Sequence, residues 1–164
     1  MLVLRGGVVG LLDFGQCKEL SGAQRKALAE LYIALHRGPP RRAAAALLAL
    51  GVRTARDDDV AGVAHHAAAM FGTATPQTAA FGACSFLLGF ARIAARGAHM
   101  PRCAGSGSAL RANPITTVPR DLFFVIRTVQ LLRGLAHATL GPGGLDVEAA
   151  WLRFAEVAAA EAGG

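Results

Sequence analysis

The chain has 164 residues, 53% of them hydrophobic and 17% charged, with a formal net charge of +6. That length admits one domain with a sizeable core and excludes two ordinary ones. The apolar share and the low charge density exclude an intrinsically disordered chain.

Much of the apolar share is alanine, a strong helix former that buries little area, so a helical protein with a thin core is expected. The positive charge is mostly arginine, since Lys18 and Lys26 are the only lysines. The arginines are scattered, Arg41-Arg42 is the only tight cluster, and no basic run is interleaved with aromatics, so nucleic acid is not an expected partner. Cys17, Cys84 and Cys103 are odd in number and far apart, which fits reduced thiols rather than a disulfide framework or a zinc site. No targeting peptide or transmembrane segment is visible. The opening "MLVLRGGVVGLL" is short and broken by glycine, and the most apolar later stretch, Cys84 to Ala95, is interrupted by Arg92.

Val8 to Leu12 is an apolar, β-branched run that predicts a strand, with Gly6-Gly7 as the turn of a hairpin begun by Leu2 to Leu4. Ser21 and Gln24 form a capping box, after which Leu28, Leu31, Tyr32 and Leu35 recur at helical spacing. Gly38-Pro39-Pro40 ends that helix. A second is predicted over Pro40 to Leu50, with proline in its first turn and Gly51 beyond its end. Asp57-Asp58-Asp59 complements the dipole of a third, Val60 to Phe71, closed by Gly72. A weaker helix is expected from about Thr78 to Ala95. Residues 97–118 hold glycines, serines, Pro101 and Pro114, and predict a flexible loop. Pro119 then opens the clearest helix. Its polar members Arg127, Gln130, Arg133 and His137 step by three or four, and Phe123, Val125, Ile126, Val129 and Leu132 fill a wide apolar arc, which predicts a largely buried helix with a solvated arginine stripe. After the break at Gly141-Pro142-Gly143-Gly144, Asp146 caps a last helix with Val147, Trp151 and Phe154 on one face.

Asp13-Phe14-Gly15 follows directly on the first apolar run. In protein kinases a D-F-G carboxylate holds magnesium against ATP phosphates, the phenylalanine sets its position, and the glycine lets the backbone turn. On the tripeptide alone, a metal-binding strand end and a plain strand-turn are both open. Other candidates have blander readings. His65 and His66 are adjacent, so on a helix they point about 100° apart and cannot share one metal; a helix-surface role is expected. His36 and His99 have no sequence neighbours suggesting a ligand set. Cys17 beside Lys18 reads as a small packed side chain, and Ser106 and Ser108 lack an arranged base.

The longer string "GLLDFGQCKELSGAQRKALAELYIAL" resembles the segment around the D-F-G of the UbiB-like atypical kinases, also called aarF-domain kinases. That family reads G-L-I/L-D-Y/F-G-Q-x-K-x-L, then a polar cap and a helix of the form Q-R-x-x-L-A-x-L-Y. "GVRTARDDDVAGVAHHAAAMFGT" is similar to its following helices, "VPRDLFFVIRTVQLLRGLAHATLG" to the late helix of plant-type members, and Trp151 fits its final helix. The resemblance implies a mainly α fold, with a short N-terminal β-hairpin followed by five or six helices: a partial kinase-like C-lobe lacking the N-lobe. It implies a division of residues 1–164 into the hairpin and D-F-G segment (1–20), helices (21–96), a flexible loop (97–118) and C-terminal helices (119–162).

By resemblance, Asp13 is the magnesium-binding residue and Phe14 and Gly15 its partners, with Mg2+ and ATP as the implied cofactors. Gln16 and Lys18 match recurrent positions of the motif. The family's H-A-D-P-H-P-G-N catalytic loop, its alanine-rich nucleotide loop, the phosphate-contacting lysine, the partner glutamate and the K-x-G-Q helix have no counterpart here. Phosphoryl transfer needs several groups acting together, so the chain alone is expected to be inactive and to bind nucleotide loosely. Family analogy implies a link to isoprenoid quinone or lipid metabolism and a place in mitochondria or plastids. The implied partners are a membrane surface, or an N-lobe or partner protein, with self-association through exposed C-lobe surface. The alternative is a non-catalytic helical docking module derived from the same family.

Overall fold

The computed structural model describes residues 2–10, 19–72, 112–141 and 146–161. Strand β1 (Leu2–Val3) pairs antiparallel with β2 (Val9–Gly10), in the register Leu2 to Gly10 and Val3 to Val9. The turn between them runs through Gly6 and Gly7 at φ 80° and 78°, a left-handed conformation that a side chain would strain. The hairpin expected from Gly6-Gly7 is present, with Leu4 and Val8 outside its paired strands, and residues 11–18 lie outside the described part.

Helix α1 (Gly22–Arg37) starts at the expected capping box: Gln24 N donates to Ser21 Oγ at 3.2 Å and Ser21 N donates to Gln24 Oε1 at 2.9 Å. Two of the orphan amides of the first turn are thereby satisfied. Leu31 and Tyr32 are fully buried, while Leu28 and Leu35 pack at the edge of the core. Helix α2 (Pro40–Ala49) begins at the prolines and ends before Gly51. Helix α3 (Val60–Phe71) has the predicted limits. Asp59 accepts from Gly62 N at 3.0 Å at its start, and Gly72 N donates to Ala68 O at 2.8 Å at its end.

Two short strands were not expected. β3 (Arg53–Thr54) pairs antiparallel with β4 (Ile115–Thr117), matching Arg53 to Thr117 and Thr54 to Ile115 with an irregularity between them. Residues 112–118, read from composition as the end of a flexible loop, are therefore hydrogen-bonded structure. Strands of two and three residues carry no periodicity from which to find them. The helix expected over Thr78 to Ala95, and residues 97–111, lie outside the described part.

Helices α4 (Arg120–Leu140) and α5 (Val147–Glu161) complete the order, with Asp146 capping α5 through Ala149 N at 3.0 Å. Helix α1 packs on α5 and α2, α2 on α3, and α3 on α4. The core joins Leu31, Tyr32, Leu47, Val52, Val63, Phe71, Leu122, Ile126 and Val129, spaced by alanines such as Ala27, Ala34, Ala43, Ala46 and Ala67. Each large side chain in it contributes about 1.5–3 kcal/mol by burial, and each alanine far less. The fold is thus mainly α with a thin, alanine-spaced core. Among the described residues, no helix is long and apolar enough to cross a membrane.

Two expectations about the late helices are corrected. Helix α4 is not largely buried: Leu131, Leu135 and Leu140 are 62%, 50% and 62% exposed. The α5 face also divides, with Trp151 and Ala155 turned to the core and Phe154 59% exposed. Among the described residues, α4 makes its main contact with α3, and Leu122, Ile126 and Val129 are its fully buried apolar side chains.

Candidate functional site

Asp13, Phe14 and Gly15 lie outside the described residues, as do Gln16, Cys17, Lys18, Cys84, His99, Cys103, Ser106 and Ser108. What is described on either side is the β1–β2 hairpin before the D-F-G and the capped start of α1 after it. Within the described residues, two polar groupings stand out.

The first ties residues 54–66 to residues 112–116. Asn113 is completely buried, and its side chain is matched to the backbone of Arg56: Arg56 N donates to Asn113 Oδ1 and Asn113 Nδ2 donates to Arg56 O, both at 2.8 Å. The Arg56 guanidinium reaches Ala112 O at 3.2 Å and the Asp59 carboxylate at 3.5 Å. Ala55 N donates to Pro114 O at 2.8 Å, and Thr54 gives its N–H and hydroxyl to Asp57 Oδ1 at 2.8 and 3.0 Å. Those bonds from Thr54 hold the Asp57 carboxyl below the usual carboxylate range, with Arg53 adding to them. At Gly62 an added Cβ would run into the Asp59 carboxylate and lie 3.1 Å from Asn113 Nδ2, so the first turn of α3 can approach only without a side chain.

His66 belongs to this grouping, and the surface role expected for it is corrected. It is 2% exposed, and its Nε2 lies 2.6 Å from Asn113 O. A carbonyl partner requires the proton on Nε2, which leaves Nδ1 as a buried acceptor without a partner. Burial pushes the imidazole below its ordinary value, helped by His65, against the opposing pull of the Asn113 hydrogen bond and of Asp59. The ring is a neutral structural donor. Helical spacing from Val63 and to Met70, both buried, was the signal that could have placed it inward. His65 is exposed, so the two rings do point apart.

The second grouping lies where α1, α3, α4 and α5 meet. Arg133, expected in a solvated stripe, is 7% exposed and donates from Nη1 to Ala69 O at 3.0 Å. Gln130, one turn earlier, donates to Met70 O at 2.9 Å. These side chains satisfy carbonyls at the end of α3 that the helix itself leaves open. Arg127 alone of the described stripe is exposed. Burial pulls Arg133 down from its usual value, while Tyr32 and Glu148 act the other way.

Tyr32 sits beside that charge. Its ring stacks on Trp151 at 5.4 Å and 7°, and meets Phe71 edge-on at 6.1 Å. The hydroxyl is buried without a hydrogen-bond partner. Burial pushes it well above the ordinary phenol range, Glu148 pushes it further, and Arg133 opposes them. It stays neutral across the physiological range and cannot act as a base there.

His36 extends this junction outward. The sequence offers it no ligand set, but the fold brings an imidazole nitrogen of His36 and carboxylate oxygens of Asp146 and Glu148 within 4.8 Å of one another. More than a hundred positions separate them along the chain, so no local spacing could have announced the group. Such a set can accept a cation; nothing in it arranges a nucleophile against a base. Compared with family models, curated proteins and solved structures, the chain matches none of them.

Proposed function

We propose that this chain is part of a UbiB-like atypical kinase or ATPase, contributing the D-F-G magnesium segment and the helices that follow it. The observation that carries the reading is the string Gly10 to Leu20, "GLLDFGQCKEL". Its flanks support it: Gly10 is paired in a hairpin, and a capped helix begins after Ser21. A metal-binding aspartate at the exit of a strand needs this order of elements.

One carboxylate holds magnesium weakly, because the ion keeps its waters unless phosphate and further ligands replace them. Residues 1–164 offer Asp13 without the family's second metal ligand or its phosphate-contacting lysine. The chain alone therefore binds Mg–ATP loosely and does not turn it over. A role in isoprenoid quinone or lipid metabolism, and a place in mitochondria or plastids, follow from the same family reading. Calorimetric titration of Mg–ATP into the protein should give weak binding that Asp13→Asn removes. Binding indifferent to that change would overturn the assignment, and hydrolysis lost in Asp13→Asn would overturn the expected inactivity.

The exposed leucines of α4 favour a second reading, a helical docking module. Leu131, Leu135 and Leu140 lie on a helix that also exposes Arg127, a mixture suited to an anionic lipid surface. Flotation with anionic vesicles, lost in Leu131→Gln/Leu135→Gln and indifferent to Asp13→Asn, would select it.

A further inference from the structure

His36 is the penultimate residue of α1, and Asp146 and Glu148 stand at the start of α5. One nitrogen and two carboxylate oxygens within 4.8 Å of each other come near the mutual spacing of ligands around a small divalent ion, for which bonds of about 2.0–2.2 Å are usual. The helices that carry them are packed together: Tyr32 stacks on Trp151 one turn inside, and Arg37 pairs with Glu156 further along α5. Little ordering of the backbone remains to be done on binding.

A second feature lies one turn further in on the same pair of helices. Tyr32 lies one turn before His36 on the same side of α1, and its hydroxyl is buried with no partner. An unsatisfied buried hydroxyl costs about 1–3 kcal/mol, so a group at the junction able to pair with it is favoured. The Glu148 carboxylate also lies over the end of α3, where a Cβ added at Gly72 would sit 2.8 Å from its Oε1.

We propose that His36, Asp146 and Glu148 form a binding site for a divalent first-row transition ion, with Zn2+ as the probe ion. The donor set makes the choice. Imidazole with carboxylates suits Zn2+ or Mn2+, whereas Mg2+ favours oxygen alone. Two carboxylates and the negative end of α1 attract the ion; the positive end of α5 and Arg133 oppose it. The bound ion would link α1 to α5 independently of the D-F-G segment, so the site and the proposed function stand or fall separately.

Titration of the full chain with ZnCl2 should show one ion bound per chain and a raised melting temperature, with MgCl2 at equal concentration inactive. His36→Ala and Glu148→Gln should each weaken Zn2+ at least tenfold, and His36→Ala should leave the metal-free fold intact, since His36 is exposed. Tyr32→Phe should weaken Zn2+ by a smaller factor. Unchanged Zn2+ affinity in His36→Ala would mean an adventitious ion only and overturn the site. Co2+ substitution in the unmutated protein gives an answer free of any folding defect. Visible bands without thiolate charge transfer support nitrogen and oxygen ligands. Thiolate charge transfer would assign the ion to cysteine instead and overturn the proposal.

Discussion

The Asn113 grouping and the Tyr32 junction are both buried and polar, yet they are tied together differently. Around Asn113, side chains meet backbone groups in matched pairs, and Arg56 alone exchanges two 2.8 Å bonds with one amide. Around Tyr32, a guanidinium is satisfied by a carbonyl, but a hydroxyl is left over and the neighbouring helix exposes leucines. Each leaves one atom over, but of a different kind: His66 Nδ1 can only accept, whereas the Tyr32 hydroxyl can donate as well.

Removing the centre of the matched region should have the largest effect. Asn113→Ala leaves a part-buried amide and carbonyl of Arg56 without their partners and should cost about 2 kcal/mol by urea denaturation. A loss below about 1 kcal/mol would mean that the grouping is wet and loose rather than matched.

Acidification should weaken the same region by a smaller amount. His66 is neutral in the fold, so the unfolded chain binds the extra proton. The contribution of His66 is therefore complete above about pH 6.5 and declines as pH falls from there toward the lowered folded value. Asp57, also lowered, adds a second loss that begins only below about pH 4. Denaturation midpoints measured between those two values should fall with pH in the unmutated protein and stay flatter in His66→Gln. Equal slopes would remove His66 from the account.

The junction should respond with the opposite sign. Tyr32→Phe removes an unpaired hydroxyl and keeps the stacking on Trp151, so metal-free stability should rise by up to about 1 kcal/mol. A loss of that size would show that the hydroxyl is bonded in solution. Leu131→Gln on the exposed face should change stability by less than about 0.5 kcal/mol. Its effect should be seen in association instead, as a lower sedimentation coefficient at high concentration if this face joins copies of the chain.

Much of the helical order was legible because its signals are local. Ser21 with Gln24, Pro39-Pro40, and Asp59 with Gly72 mark ends through contacts spanning three or four residues, and α1, α2 and α3 begin and end there. The late helices were legible as helices but not in orientation. Arg133 and Gln130 read as a solvated stripe because a polar residue on an amphipathic helix normally faces water. The open carbonyls at the end of α3 reversed that preference, and no pattern within α4 encodes them. The D-F-G segment, where family resemblance was most specific, lies outside the described residues.

Alanine content, capping residues and helical periodicity were enough to establish a mainly α chain and the limits of its early helices, because those properties depend on neighbours within one or two turns. Which polar side chains became buried, and that His36 came to stand beside Asp146 and Glu148, was settled only when α5 packed on α1 and α4 on α3. Contacts between residues a hundred positions apart depend on where whole helices settle, and helix packing is driven by apolar area that does not record which polar groups it will bring together.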